Sequence, residues 1–458
     1  MSAEPKDNGG PALESIEECA DWLRRGSKPE AEWRIGAEYE RLVFDDAGQQ
    51  ADYEGPKGIR AVLEGLASRF GWTPVLEDGR PIALQRGQAG ISLEPAGQLE
   101  LSGAPLRHVS DFVRERDEHL AEVAAICEPL GLHTALVGIH PLATADSTPK
   151  VPKHRYTMMR ARMPEVGTRG LDMMHLTCTV QVNLDYGDEA MAMEMMRLGM
   201  LSAPVLIALF AASPWRHGRP SGMASARAFI WEDVEPARCL PGAWIYDPAA
   251  TFTDHAAWAF DVPLYFVRHR DANGQLLTLL PERKGATFRS FFEDGDRGRR
   301  PNLSDFALHL STLFPDVRCK GVIELRACDC VPPDLLPGLP ALAKGLFYDA
   351  ASRRAALALL RDGDASVDRL ALRHAAVRQG LDGRLGDLAL GPLAVALLDL
   401  ARLGLERIAP RWGEDPAALA AIDGLDAIAR GERTPLWREI DEALRAKPSL
   451  LALRRFGV

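Results

Sequence analysis

Thr177-Cys178-Thr179-Val180-Gln181-Val182-Asn183-Leu184-Asp185 sorts its side chains by parity: odd positions are polar, even positions apolar. Side chains on a strand point alternately to opposite faces, so this run reads as a strand with one face in a core and the other turned toward something polar. The same rule groups three further pairs on strand-like segments: Glu38 with Glu40, Glu94 with Glu100, and Glu324 with Arg326. Acidic pairs converging on one sheet face repel strongly unless cations sit between them. Taken singly, each pair is most simply a solvated strand face. Taken together, Glu38, Glu40, Glu94, Glu100 and Glu324 form a set of hard oxygen ligands suited to magnesium, and hence to phosphate chemistry.

Outward from these runs the chain alternates strand and helix patterns. Ile59 to Arg69 and Val109 to Ile126 have helical spacing, the second closed by Pro129-Leu130-Gly131. Thr73 to Leu76, Pro81 to Gln85 and Ile91 to Ser102 suggest a meander, with Ser92, Glu94, Gln98 and Glu100 on one face provided Pro95-Ala96-Gly97 adds no bulge. Leu136 to Ile139 is expected to be another strand. The basic run Pro149 to Tyr156 is expected to be a mobile, substrate-touching loop. Asp188 to Ala212 is expected to be a buried helix, its most apolar window, Met200 to Ala212, being too short to span a bilayer. The resulting expectation is an α+β fold: residues 1–330 form a catalytic domain and 331–458 a helical portion packed on it.

A net charge of −10 gives no support to nucleic-acid or anionic-membrane partners, which leaves small molecules. The polar opening segment, Met1 to Leu13, lacks an apolar leader, so a cytoplasmic location is expected. Seven scattered cysteines make no disulfide framework, and Cys328 and Cys330 lack the partners of a zinc site. Neither a G-x-x-x-x-G-K-[ST] loop nor a G-x-G-x-x-G turn is present, so ATP would have to be held through magnesium and arginine. Arg155, Arg160, Arg227 and Arg326 are the cationic candidates, since a guanidinium pairs bidentately with carboxylate or phosphate. Trp231 and Tyr265 are candidate pocket walls, although aromatic residues near strands more often belong to a core.

Several ordered runs resemble the glutamate-cysteine ligases of the plant and proteobacterial type. They are Ile35 to Glu40, Ile91 to Pro95 continuing through Glu100 to Pro105, Gly170 to Met174, Thr177 to Asp185, Arg227 to Trp231, and Asp261 to Val267. The resemblance implies a glutamine-synthetase-like fold, a curved antiparallel sheet forming a funnel flanked by helices. It implies ATP-dependent joining of the glutamate γ-carboxyl to the cysteine amine through a γ-glutamyl phosphate, as part of low-molecular-weight thiol biosynthesis. By position, Glu38, Glu40, Glu94, Glu100 and Glu324 match the magnesium ligands, and Arg326, with Glu38, the catalytic positions at the transferred phosphate. Arg155, Arg227 and Tyr265 match glutamate-binding groups, with Thr179, Gln181, Asn183 and Trp231 lining the amino-acid pocket. The chain departs from the family at Ala327-Cys328-Asp329-Cys330-Val331-Pro332-Pro333, where a glycine-rich turn and a tryptophan are usual. One pocket wall, and with it the acceptor amine, is left open. A metal-free two-carboxylate hydrolase and an inactive binding relative are the readings from other classes.

Overall fold

The computed structural model describes residues 9–270, 276–415 and 417–457. Its framework is a nine-stranded sheet: β1 (Ile35–Asp45), β2 (Thr73–Glu77), β3 (Arg80–Arg86), β4 (Ala89–Leu93), β5 (Leu99–Ser102), β6 (Leu132–Ala135), β7 (Val180–Leu184), β8 (Val317–Cys319) and β9 (Ile323–Leu325). The spatial order is β8-β9-β7-β1-β5-β4-β3-β2, with β6 paired to β1, and every pairing is antiparallel. The sheet is open and flanked by helices, an α+β architecture.

β1 is the hinge of this arrangement because it is long enough to serve three neighbours. Its first half lies between β5 and β7, and Leu42 to Asp45 pair with β6. One parity of these strands, including Ala37, Tyr39, Leu101, Val180 and Val182, is almost completely buried in the core. The helices used below are α1 (Ile59–Phe70), α2 (Val109–Cys127), α3 (His154–Val166), α4 (Gly170–Leu176), α5 (Glu189–Leu209), α6 (Ala226–Trp231), α7 (Gly338–Tyr348) and α8 (Leu390–Trp412). α1 packs on α2 and β3, α5 packs behind β8 and β9, and α7 lies against β1 and β7.

Local differences from the sequence expectations have physical causes. Ile91 to Ser102 is a hairpin and not one strand: Gly97 takes a left-handed φ of +84°, and the Gly97 amide donates to the Glu94 carbonyl at 2.9 Å. The strand expected at Leu136 to Ile139 lies earlier, at β6, because left-handed Gly131 (φ +66°) releases the chain directly into pairing with β1. The basic run is loop only to Lys153, and His154 starts α3. α5 is 21 residues long and by length and composition could cross a membrane, yet 94% of its apolar window is buried inside the fold.

The C-terminal helices are tied into the sheet by more than apolar contact. Lys344 of α7 forms a buried ion pair with Glu414, and its Nζ also donates to the Arg107 carbonyl at 2.6 Å. Glu414 in turn accepts the Val109 amide at the start of α2 (2.8 Å).

Candidate active site

Residues directly opposite one another in a ladder share a face, so the strand registers specify which side chains meet. Ser92, Glu100 and Glu40 form one row across β4, β5 and β1; Ser102, Glu38 and Gln181 form a second across β5, β1 and β7. Asn183, Glu324 and Arg318 form a third across β7, β9 and β8. Hydrogen bonds fix the rows: Ser92 Oγ donates to Glu100 at 2.5 Å, the Thr179 amide to Glu40 at 2.9 Å, and Asn183 Nδ2 to Glu38 Oε1 at 2.8 Å. Glu94, at the hairpin tip, accepts from the Tyr156 hydroxyl at 3.4 Å.

Burial works against the charge of two of these carboxylates. Burial raises the pKa of Glu38, with Glu100 and Glu324 adding to the effect against Lys320. Burial raises that of Glu40 well above the usual carboxylate range, reinforced by Glu94 and Glu100. Glu38 Oε2 is buried without a hydrogen-bond partner. Glu324, expected beside them as a fifth metal ligand, sits instead in an ion cluster. Arg318 reaches it at 2.5 and 3.0 Å, Lys320 at 3.0 Å and Arg326 at 3.2 Å, and its pKa is held well below the usual range by these cations despite burial. The reason is the register, which sets Arg318 directly across from Glu324. Among the described residues no three His, Cys, Asp or Glu side chains converge closely enough to hold a metal as they stand. Of the five carboxylates expected to hold magnesium, Glu38, Glu40 and Glu100 stand in the first two rows, Glu94 stands at the hairpin tip, and Glu324 is ion-paired with Arg318, Lys320 and Arg326.

The cationic end is built by β7, β9 and α6. Arg326 Nη1 donates to Gln181 Oε1 at 2.7 Å. Trp231 lies 5.7 Å from the Arg227 guanidinium and 5.8 Å from that of Arg326, both over its ring. Arg227 donates to the carbonyls of Ala327 (3.2 Å) and Arg326 (2.9 Å), and its Nε is buried without a partner, as is Trp231 Nε1. One cavity joins the two ends: Glu40, Glu94, Thr179, Gln181, Arg227, Trp231 and Arg326 all line it. Met159, Met173, Met174 and Phe314 complete its walls.

Some expected residues lie elsewhere. Tyr265 is not among the cavity-lining residues. The Arg238 guanidinium stacks 3.6 Å above its ring, and its hydroxyl points to Met163 sulfur at 3.5 Å. Arg155 is on α3 over the Phe266 ring at 5.4 Å, and Asn183 stands one position beyond the cavity, on Glu38. The divergent segment Ala327 to Pro333 contributes no cavity wall; it lies behind the cavity, where the Cys328 carbonyl accepts from Thr179 Oγ1 at 2.7 Å. Lys153 was not singled out by the sequence reading. Its Nζ donates to the Leu93 carbonyl at 2.9 Å, beside the Glu94 turn, and burial lowers its pKa while Glu94 and Glu100 pull it back up. Its only sequence signal was membership of the basic run.

Comparison with known proteins matches residues 34–428 to the profile of glutamate-cysteine ligase family 2. The chain belongs to this family. The chloroplastic glutamate–cysteine ligase of Medicago truncatula is 37% identical over 395 residues, covering 85% of this chain and 76% of that one. The Arabidopsis thaliana enzyme is also 37% identical, over 411 residues, covering 89% and 76%. Both relatives are named as chloroplastic, which overturns the cytoplasmic location expected from the polar opening segment. Among solved structures, the Francisella tularensis glutamate–cysteine ligase in complex with AMP aligns with a TM-score of 0.53 at 15% identity, covering 93% of this chain and 88% of that one. A bifunctional glutathione synthetase from Pasteurella multocida aligns at 0.50 and 11%, covering 96% and 53%. At these identities the likeness speaks to the shared fold.

Proposed function

We propose that the protein catalyses ATP-dependent ligation of the L-glutamate γ-carboxyl to the L-cysteine amine, giving γ-glutamylcysteine, ADP and phosphate. The observation that carries this reading is one cavity, in a member of this family, lined by the carboxylates Glu40 and Glu94 together with the Arg227–Trp231–Arg326 stack.

A carboxylate is a poor acyl donor because its leaving group would be an oxide. Moving the γ-phosphoryl group of ATP onto it creates an acyl phosphate, and attack by the amine then expels phosphate from a tetrahedral intermediate. Little of this chemistry is covalent work for the protein; positioning and charge stabilisation dominate. Both polar side-chain contacts of Arg326, to Gln181 and Glu324, go through Nη1, and Trp231 lies near its guanidinium, so the remaining N–H groups are available to meet negative charge growing on the phosphoryl group. Arg227, held from behind by two backbone carbonyls, is suited to a glutamate carboxylate. The methionine and phenylalanine wall excludes water from the acyl phosphate.

Glu38, Glu40, Glu94 and Glu100 would hold magnesium. Their chemistry fits a hard dication, and Glu38 Oε2 is a buried carboxylate oxygen without a hydrogen-bond partner, open to a cation. When bound, magnesium neutralises the nucleotide phosphates. The placement of Ala327 to Pro333 behind the cavity removes the reason for expecting another acceptor amine, and family membership leaves the hydrolase reading without support.

The test is a product assay by mass with glutamate, ATP and magnesium against a panel of amines. The expected result is γ-glutamylcysteine and ADP in equal amounts, dependent on every component. Turnover without ATP, or with another amine and not with cysteine, would overturn the reading.

A further inference from the structure

Asp329 is buried (1% exposed) and is not itself among the cavity-lining residues, yet three donors converge on its carboxylate. Its Oδ2 accepts from Ser213 Oγ at 2.6 Å and the Ala212 amide at 2.8 Å; its Oδ1 accepts from Ser225 Oγ at 2.8 Å. Both serines pass the constraint on. Ser213 Oγ accepts from the Arg227 amide at 3.0 Å, and Ser225 Oγ caps α6 by accepting from the Ala228 amide at 3.0 Å. The Arg227 guanidinium itself lies 4.0 Å from Asp329 Oδ1. The site is built tightly enough that a Cβ on Gly138 would come within 2.6 Å of the carboxylate, so only glycine leaves room for it.

We propose that Asp329 is a positioning residue for glutamate recognition, setting the Arg227 main chain through Ser213 and the first turn of α6 through Ser225. This rests on the reading of Arg227 as a glutamate-holding group. The stretch from Arg326 to Asp329 then grips Arg227 at both ends: two carbonyls orient its guanidinium, and one carboxylate orients its backbone and balances its charge. The segment where this chain leaves the family pattern therefore keeps a function by supporting the pocket from behind.

Glutamate binding by titration calorimetry, which needs no turnover, and steady-state kinetics with each substrate varied should be measured for Asp329→Asn, Ser213→Ala, Arg227→Lys and the Asp329→Asn/Arg227→Lys double variant. Asp329→Asn is expected to weaken glutamate binding and raise its KM by roughly ten-fold or more, with the KM for ATP moving less than about two-fold. Ser213→Ala should do the same to a smaller degree, and the double variant should be little worse than Arg227→Lys alone. Equal shifts in every KM, a change in melting temperature alone, or full additivity in the double variant would overturn the proposal. If Asp329→Asn does not fold, Ser213→Ala keeps the buried charge and removes only the relay; unchanged glutamate binding in it would be equally decisive. Unchanged glutamate binding in Arg227→Lys would instead overturn the reading of Arg227.

Discussion

Glu324 and Glu40 are the same residue type on the same face of the same sheet, and the structure gives them opposite electrostatics. Across from Glu324 the register sets Arg318, with Lys320 and Arg326 on either side, so its negative charge is the centre of a completed cluster. Across from Glu40 it sets Glu100, with Glu94 close by, so its negative charge meets its own kind in a buried place. One end of the face is neutralised by the protein itself. The other holds the carboxylates proposed above to take magnesium, and the cross-strand neighbour makes the difference.

The largest effect that sharpens this contrast is on stability. Glu324→Gln removes the carboxylate partner of buried Arg318 and Arg326 and of partly exposed Lys320, and is expected to cost about 3–5 kcal/mol in denaturant unfolding; a cost below about 1 kcal/mol would break the contrast. Because its pKa is depressed in the fold, the stability from Glu324 is present above the unfolded carboxylate value of 4.5 and is lost as pH falls through the lower folded value. Arg326→Met should lower kcat by about 10²–10³-fold, the scale of removing one preorganised donor from a charge-developing site, with cysteine-dependent ADP release as the measurement. Magnesium with a non-hydrolysable ATP analogue at about 100 times its dissociation constant should stabilise the protein by about 2.7 kcal/mol, and Glu40→Gln or Glu100→Gln should reduce that gain.

The smallest effect has the most telling sign. The folded pKa of Glu40 is raised, so its contribution is fully present below the unfolded value and is lost as pH rises through the folded one. In chelator at neutral pH, Glu40→Gln should therefore stabilise the protein, on the order of 1 kcal/mol, and flatten the decline in melting temperature above the ordinary carboxylate range. Destabilisation by Glu40→Gln in chelator would show that the two ends are not electrostatically distinct.

Parity carried much of this into view before any coordinates. The alternation in Thr177 to Asp185 identified a strand whose polar side faces the cavity, and Ser92 with Glu100 stayed on one face even though the run containing them folds into a hairpin. A symmetric hairpin conserves parity, which is why reading the run by parity still put Ser92 and Glu100 on one face. What parity does not carry is approach in three dimensions. Lys153, just before α3, and Tyr156, in its first turn, reach the Glu94 turn, and Met173 and Met174 arrive on α4, positions with no local mark of a cavity. Tyr265 shows the converse: a residue within a matching motif is claimed by stacking with Arg238, an interaction between residues 27 positions apart that no local pattern reveals. That the carboxylates share a sheet face was legible; their charge partners were not, because Arg318 opposes Glu324 only once the β8–β9 hairpin closes.

The Lys344–Glu414 pair and the position of α7 against β1 and β7 bear on anyone seeking a minimal catalytic fragment. A polypeptide ended after the last active-site strand would keep every proposed chemical group yet bare the rear of its two central strands to water. It would also strip the start of α2 of the acid that accepts its first amide. Such a truncated gene should yield aggregate, and its rescue would require supplying the missing helices in trans.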